Sequence, residues 1–139
     1  MSVTLLPYGA LLGIREEPGG LLRMPFAPGL IGAPGRLHGG TVAGLMELVA
    51  HRAVLAEVGQ GVELKPINVT VDYLREGKLE DVLAAATLMK LGRRVANVRC
   101  EAWQGERDRP IAAARLNILL ARPEGAAPQP ALVPPERPS

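Results

Sequence analysis

Residues 38–57 read HGGTVAGLMELVAHRAVLAE, and this stretch decides the fold. It holds no proline and a single internal glycine, Gly44. Apolar residues recur at 42, 45, 46, 49, 53 and 56, the spacing of a helix, while Leu48, Ala50, Val54 and Leu55 fill the other sides. A helix that is apolar nearly all round is a buried one. Gly59 and Gly61 end it.

Upstream, LLGIREE (11–17) and GLLRMPF (20–26) flank Pro18-Gly19-Gly20 and predict a hairpin of two short strands. Residues 27–37 carry Pro28, Gly29, Gly32, Pro34 and Gly35 and read as an irregular loop. Downstream the period changes to two. PINVTVDYLR (66–75) alternates, with Ile67, Val69, Val71 and Tyr73 on one face and Asn68, Thr70 and Asp72 on the other. DVLAAATLMKL (81–91), RVANVRCEAW (94–103) and PIAAARLNILL (110–120) follow, and the four strands predict an antiparallel meander. Residues 122–139 hold six prolines in eighteen positions and predict a disordered tail, leaving 1–121 as one domain.

Composition removes several classes of function. The chain has 139 residues, 47% hydrophobic and 22% charged, enough for one core. Aromatics are 3%, with no two adjacent, so a base-stacking nucleic-acid platform is not expected. Sixteen Lys plus Arg against fourteen Asp plus Glu leave a net charge of +2. No segment has the length and apolarity of a signal peptide or membrane span, and a cytoplasmic location is expected. Cys100 is the only cysteine, so neither an internal disulfide nor a metal site is expected. Inside an alternating strand it reads as a small hydrophobe. The only serines are Ser2 and Ser139, which removes serine-hydrolase chemistry.

Two features carry chemistry. Gly39 and Gly40 stand where a loop becomes a helix, and the first N–H groups of a helix lack intrahelical partners. Such donors, approachable because glycine has no side chain, suit a carbonyl developing negative charge. Glu47 is the only acid between Glu17 and Glu57, in the middle of the most apolar helix. A carboxylate there asks for a partner, a proton or a catalytic task. The structural alternative is a pair with His51, four residues on. Seven residues separate Gly40 from Glu47, roughly 10 Å of helix, too far for both to grip one carbonyl group within one chain. A shared substrate would need two subunits related by a two-fold axis.

The strand–helix order together with LHGGTVAGLMELVA, Glu47 nine residues after His38, and the VTVDYLR and GRRVANVRCEAW segments resembles the hotdog-fold acyl-CoA thioesterases, of the phenylacetate-pathway type. The resemblance covers about residues 5–121. It implies an α+β fold in which a curved antiparallel sheet wraps one long central helix, and a homodimer or dimer of dimers with sites at the interface. It further implies hydrolysis of an acyl-CoA, with coenzyme A as part of the substrate and no separate cofactor. Glu47 would be base or nucleophile, with the Gly39 and Gly40 amides as oxyanion donors and His38 beside them. Lys90, Arg93 and Arg94 at the Gly92 turn would meet the coenzyme A phosphates; Arg99 and Arg75 are weaker candidates. Many relatives carry Asn or Gln about six residues before the histidine; here Gly32 stands there, and Pro66 falls where a strand hydroxyl is often found. Asn68, Thr70 and Thr41 are candidate substitutes. A non-catalytic acyl-CoA binding protein is the alternative reading, and a dehydratase, which wants Asp and His near the helix start, ranks third.

Overall fold

The computed structural model describes residues 6–122; the proline-rich segment expected to be disordered lies almost wholly outside them. Two helices, α1 (Pro7–Leu12) and α2 (Gly39–Val58), and six strands make the fold: β1 (Arg15–Glu16), β2 (Leu22–Met24), β3 (Glu63–Tyr73), β4 (Val82–Leu91), β5 (Val95–Trp103) and β6 (Ala112–Ala121). The strands form one antiparallel sheet that curves around α2, which packs against β2 through β6. This is the expected hotdog arrangement. No helix of the described residues is long and apolar enough to cross a membrane.

The central helix begins and ends where glycine and its cap dictate. His38 is the N-cap, and Gly59, at φ 76°, donates its N–H to the Leu55 carbonyl at 2.8 Å. No residue from 41 to 55 is exposed, because aliphatic side chains of the sheet's concave face surround most of the helix. Leu45 and Met46 are wholly buried against even-numbered residues of β4, β5 and β6. Ala43, Glu47 and His51, four residues apart, form a half-buried stripe. Glu47 is thus less buried than its apolar neighbours suggest, and among the described residues no charged side chain is fully buried.

Three expectations are corrected. Leu11 and Leu12 do not start a strand. They close α1, which Pro7 opens at its first turn and Gly13 ends in the left-handed region at φ 72°, leaving β1 only two residues. The last four strands are not a simple meander either: the sheet order is β1-β2-β4-β5-β6-β3. β3 pairs with β6, and the connection 74–81 crosses the end of the sheet to reach β4. Gln104 holds that crossing in place, accepting from the Lys78 N–H at 2.9 Å and donating to the Lys78 carbonyl at 2.8 Å. Finally, the alternation of β3 breaks at Ile67, where the register slips between Pro66 and Asn68. Val69, Val71 and Tyr73 lie on the same side as the inward Leu116, Ala114 and Ala112, whereas Ile67 sits in the bulge.

Candidate active site at the start of the central helix

The helix entry is built by a tight loop. Ile31 and Leu37 form a bridge, the His38 N–H donates to the Leu30 carbonyl at 2.8 Å, and the Gly32 N–H to the Arg36 carbonyl at 3.0 Å. A Cβ at Gly32 would lie 2.8 Å from the His38 Cα, so a side chain there would have to displace backbone. The loop therefore excludes an Asn or Gln at that position.

His38 uses its ring as the cap: Nδ1 accepts from the Gly40 N–H at 2.9 Å. The Thr41 hydroxyl donates to the His38 carbonyl at 2.7 Å, and the Thr41 N–H reaches the same oxygen at 3.0 Å. The two expected oxyanion donors are thus unequal. Gly40 is engaged by its own chain, while the Gly39 N–H has no hydrogen bond among the described residues. Gly39 lines a cavity of 380 Å³ with Leu37, Val42, Tyr73, Leu74 and Ile111. Arg36, Arg75 and Glu76 stand at its rim; Arg75 is fixed by donating to the Pro110 carbonyl at 2.6 Å.

Tyr73 was not singled out from the sequence as a site residue. Its hydroxyl donates to the Gly39 carbonyl at 3.0 Å, and a Cβ on Gly39 would stand 3.0 Å from its ring. The signal was present in the alternation of β3, which sets the one aromatic of that strand on the face that meets the helix start.

The other candidates are dispersed. Glu47 is not part of the cavity wall, and among the described residues its carboxylate makes no hydrogen bond or ion pair, with His51 or any other group. Burial lowers the pKa of His51 from its ordinary value. Lys90, Arg93 and Arg94 are exposed around the β4–β5 turn. That turn is at the Leu119 end of β6, whereas the cavity is at its Ala112 end. Seven residues of strand separate them, roughly 24 Å. Asn68 and Thr70 lie on the convex face of the sheet, opposite to α2, paired with Asn117 and Arg115. One chain therefore brings together His38, Gly39, Gly40, Thr41 and Tyr73, and leaves Glu47, the basic turn and the β3 polar face apart. Cys100 is buried, its Sγ 3.4 Å from the Met46 carbonyl oxygen, and burial with the nearby Glu101 charge pushes the thiol up to about 12. It is no nucleophile in the folded chain.

Residues 34–111 match the family model of the thioesterase superfamily. No curated protein matches the chain. Among solved structures it is similar to a Chromobacterium violaceum protein at 34% identity, covering 84% of this chain and 85% of that one with a TM-score of 0.67. It is also similar to a Haemophilus influenzae thioesterase at 21% identity, covering 89% and 90% with a TM-score of 0.80. A Bacillus halodurans protein solved with CoA gives 18% identity, 81% and 74% coverage and a TM-score of 0.73. The last two likenesses are of fold.

Proposed function

The chain belongs to the thioesterase superfamily, and on that premise we propose that it hydrolyses an acyl-CoA thioester to the free acid and coenzyme A at a site shared by two copies of the chain. The observation that carries this reading is the half-buried Glu47 carboxylate on the central helix, with no partner of its own among the described residues. A carboxylate on the core helix with no counter-charge gives the fold nothing in return for its place there, the mark of a group kept for its chemistry.

Two separations point to a second copy. Glu47 lies roughly 10 Å along α2 from Gly40, and the basic turn lies at the far end of the sheet from the cavity. A two-fold axis that sets α2 and β3 antiparallel to their copies removes both, because it brings the Glu63 end of one β3 beside the Tyr73 end of the other. β3 suits this role. It is an edge strand of eleven residues with Ile67, Val69 and Tyr73 at 56%, 40% and 57% exposure. A long edge carrying apolar side chains is a template for pairing.

In this arrangement the thioester oxygen accepts from the Gly39 N–H, and from Gly40 if the His38 ring yields it. The helix dipole supports the developing charge. The partner's Glu47 removes a proton from water as it attacks the carbonyl carbon, and the C–S bond breaks as the departing sulfur takes that proton. On the other route Glu47 attacks the carbonyl carbon directly, and the C–S bond breaks to release the coenzyme A thiolate and leave an anhydride. Water then opens the anhydride to the free acid and the Glu47 carboxylate. Lys90, Arg93 and Arg94 of the second copy meet the phosphates of coenzyme A. Thr41 supports the turn by donating its hydroxyl to the His38 carbonyl.

A non-catalytic acyl-CoA binding protein is the second reading, and the sterically closed Gly32 position, which excludes the loop amide, favours it. Glu47→Gln separates the two. On a panel of acyl-CoAs followed by free-thiol release, the wild-type chain turns over and the variant falls by at least ~100-fold. Its melting temperature and acyl-CoA affinity stay close to wild type. Equal turnover in the two proteins refutes the catalytic role of Glu47, and a wild-type chain that binds acyl-CoA without releasing thiol establishes the binding protein.

A further inference from the structure

The convex face of the sheet carries an arrangement to which the hydrolytic steps proposed above assign no role. Arg99 of β5 and Arg115 of β6 are direct cross-strand partners, and the same row continues to Thr87 on β4 and Thr70 on β3. Both guanidiniums are exposed, and among the described residues neither makes an ion pair or a side-chain hydrogen bond. Like charges directly opposite one another destabilise a sheet, so the pair is anomalous without an anion. The acids nearby do not supply one. Glu101, two residues from Arg99, is held by Arg107 at 2.7 Å, and Asp72, opposite Ala113 in the wall of the same cleft, makes no ion pair with either arginine.

The neighbouring row is fixed and polar. Asn97 donates its Nδ2 to Asn117 Oδ1, and Asn117 donates its Nδ2 to Asn68 Oδ1 at 2.9 Å. The ladder leaves the Asn68 amide N–H groups unspent at its β3 end. Arg99, Arg115, Thr70 and the three asparagines line a cleft of 720 Å³ together with Asp72 and Met89, and Thr87 lies beside Arg99 just outside its wall. Lys90, outside the cleft wall, is the cross-strand partner of Asn97. Every group is set on a strand rather than on a loop, so the geometry is preorganised.

We propose that Arg99 and Arg115 together bind a phosphate group of a phosphorylated small molecule on the convex face of the sheet, with Thr87, Thr70 and the asparagine ladder as neutral hydrogen-bonding partners. Two guanidinium forks a strand apart match the several oxygens of one phosphate or of a diphosphate, each able to donate paired hydrogen bonds. The phosphate can come from the nucleotide end of coenzyme A or from a separate metabolite, and the chemistry of recognition is the same.

Calorimetric titration of the whole chain with inorganic pyrophosphate, ADP and adenosine 3′,5′-bisphosphate tests the site. Wild type binds at least one probe, and Arg99→Gln and Arg115→Gln each weaken that probe by at least ~10-fold, as expected for losing a charged hydrogen-bond donor. Glu47→Gln leaves it unchanged, so this result is separate from that of the hydrolase assignment. If adenosine 3′,5′-bisphosphate binds best and the arginine variants also raise the KM for acyl-CoA, the source is the substrate. If pyrophosphate or ADP binds with KM unaltered, it is a separate ligand. Melting curves check folding, and neutralising one arginine should leave them level or raise them. No binding of any probe to wild type at millimolar concentration, or equal binding by the arginine variants, overturns the proposal, as does a tetramer that light scattering shows the double variant to split.

Discussion

His38→Ala tests whether the histidine before the helix is a cap or a catalyst. In the structure its ring does one thing, accepting from the Gly40 N–H at 2.9 Å. Loss of an N-cap costs about 0.5–2 kcal/mol, and since the ring and Gly40 are both exposed, water replaces part of the bond and the lower half of that range applies. The backbone bonds of His38 to Leu30 and Thr41 are untouched by the substitution. At roughly 4 °C per kcal/mol for a domain of this size, the melting temperature should fall by about 2–5 °C. His38→Asn restores an acceptor of the right reach and should recover most of the loss. Turnover should respond differently. Releasing the Gly40 N–H gives the helix start a second free donor beside Gly39, so kcat should drop by less than ~10-fold, well below the effect of removing a positioned acid or base. Thiol release and melting curves on the two variants are enough. A kcat loss of ~100-fold or more in both, with melting unchanged, would show that the imidazole acts on the substrate and that the cap is incidental.

Two further outcomes follow from the titrating groups. Burial holds the His51 pKa below its ordinary value, so the folded chain binds this proton less readily than the unfolded one. Stability is then full above about pH 6.5 and declines as the pH falls from there through the folded pKa; His51→Gln should flatten that part of the melting-temperature profile, and an identical slope refutes the assignment. Cys100, buried and with its thiol pushed up to about 12, should resist an aromatic disulfide reagent until the chain unfolds. Its modification rate should follow denaturant, and stoichiometric labelling in native buffer would contradict the packing of β5 against α2.

What the residues disclose and what they withhold divides along physical lines. The bounds of α2 were legible because its signals are local: an apolar period, a capping residue and terminal glycines. The faces of β3 from Asn68 onward were legible for the same reason, since alternation records which side each residue takes, and the reading failed at Ile67, where the bulge interrupts it. Alternation does not record which strand lies beside which. The exchange that puts β3 next to β6 depends on the 74–81 crossing and on Gln104 bonding Lys78, contacts 26 residues apart in sequence. The six-residue α1 escaped notice because so short an apolar run fits strand and helix alike, and only Pro7 and Gly13 at its ends distinguish them.

The site shows the same division at closer range. Glycine at 32 reads in the sequence as a missing amide, a departure from what the thioesterase resemblance implies. In three dimensions it is the condition for the His38 cap. The His38 backbone passes so close to Gly32 that a Cβ would meet its Cα at 2.8 Å, and it is this path that aims the imidazole at the Gly40 N–H. In this chain an amide side chain at 32 and the present path of the backbone at His38 are therefore incompatible. Restoring the amide by Gly32→Asn would push the loop off His38 and unseat the cap. The loop and the helix start have to be read as one unit, in which Gly39 lines the cavity with its N–H unpartnered among the described residues and the Gly40 N–H is capped by its histidine.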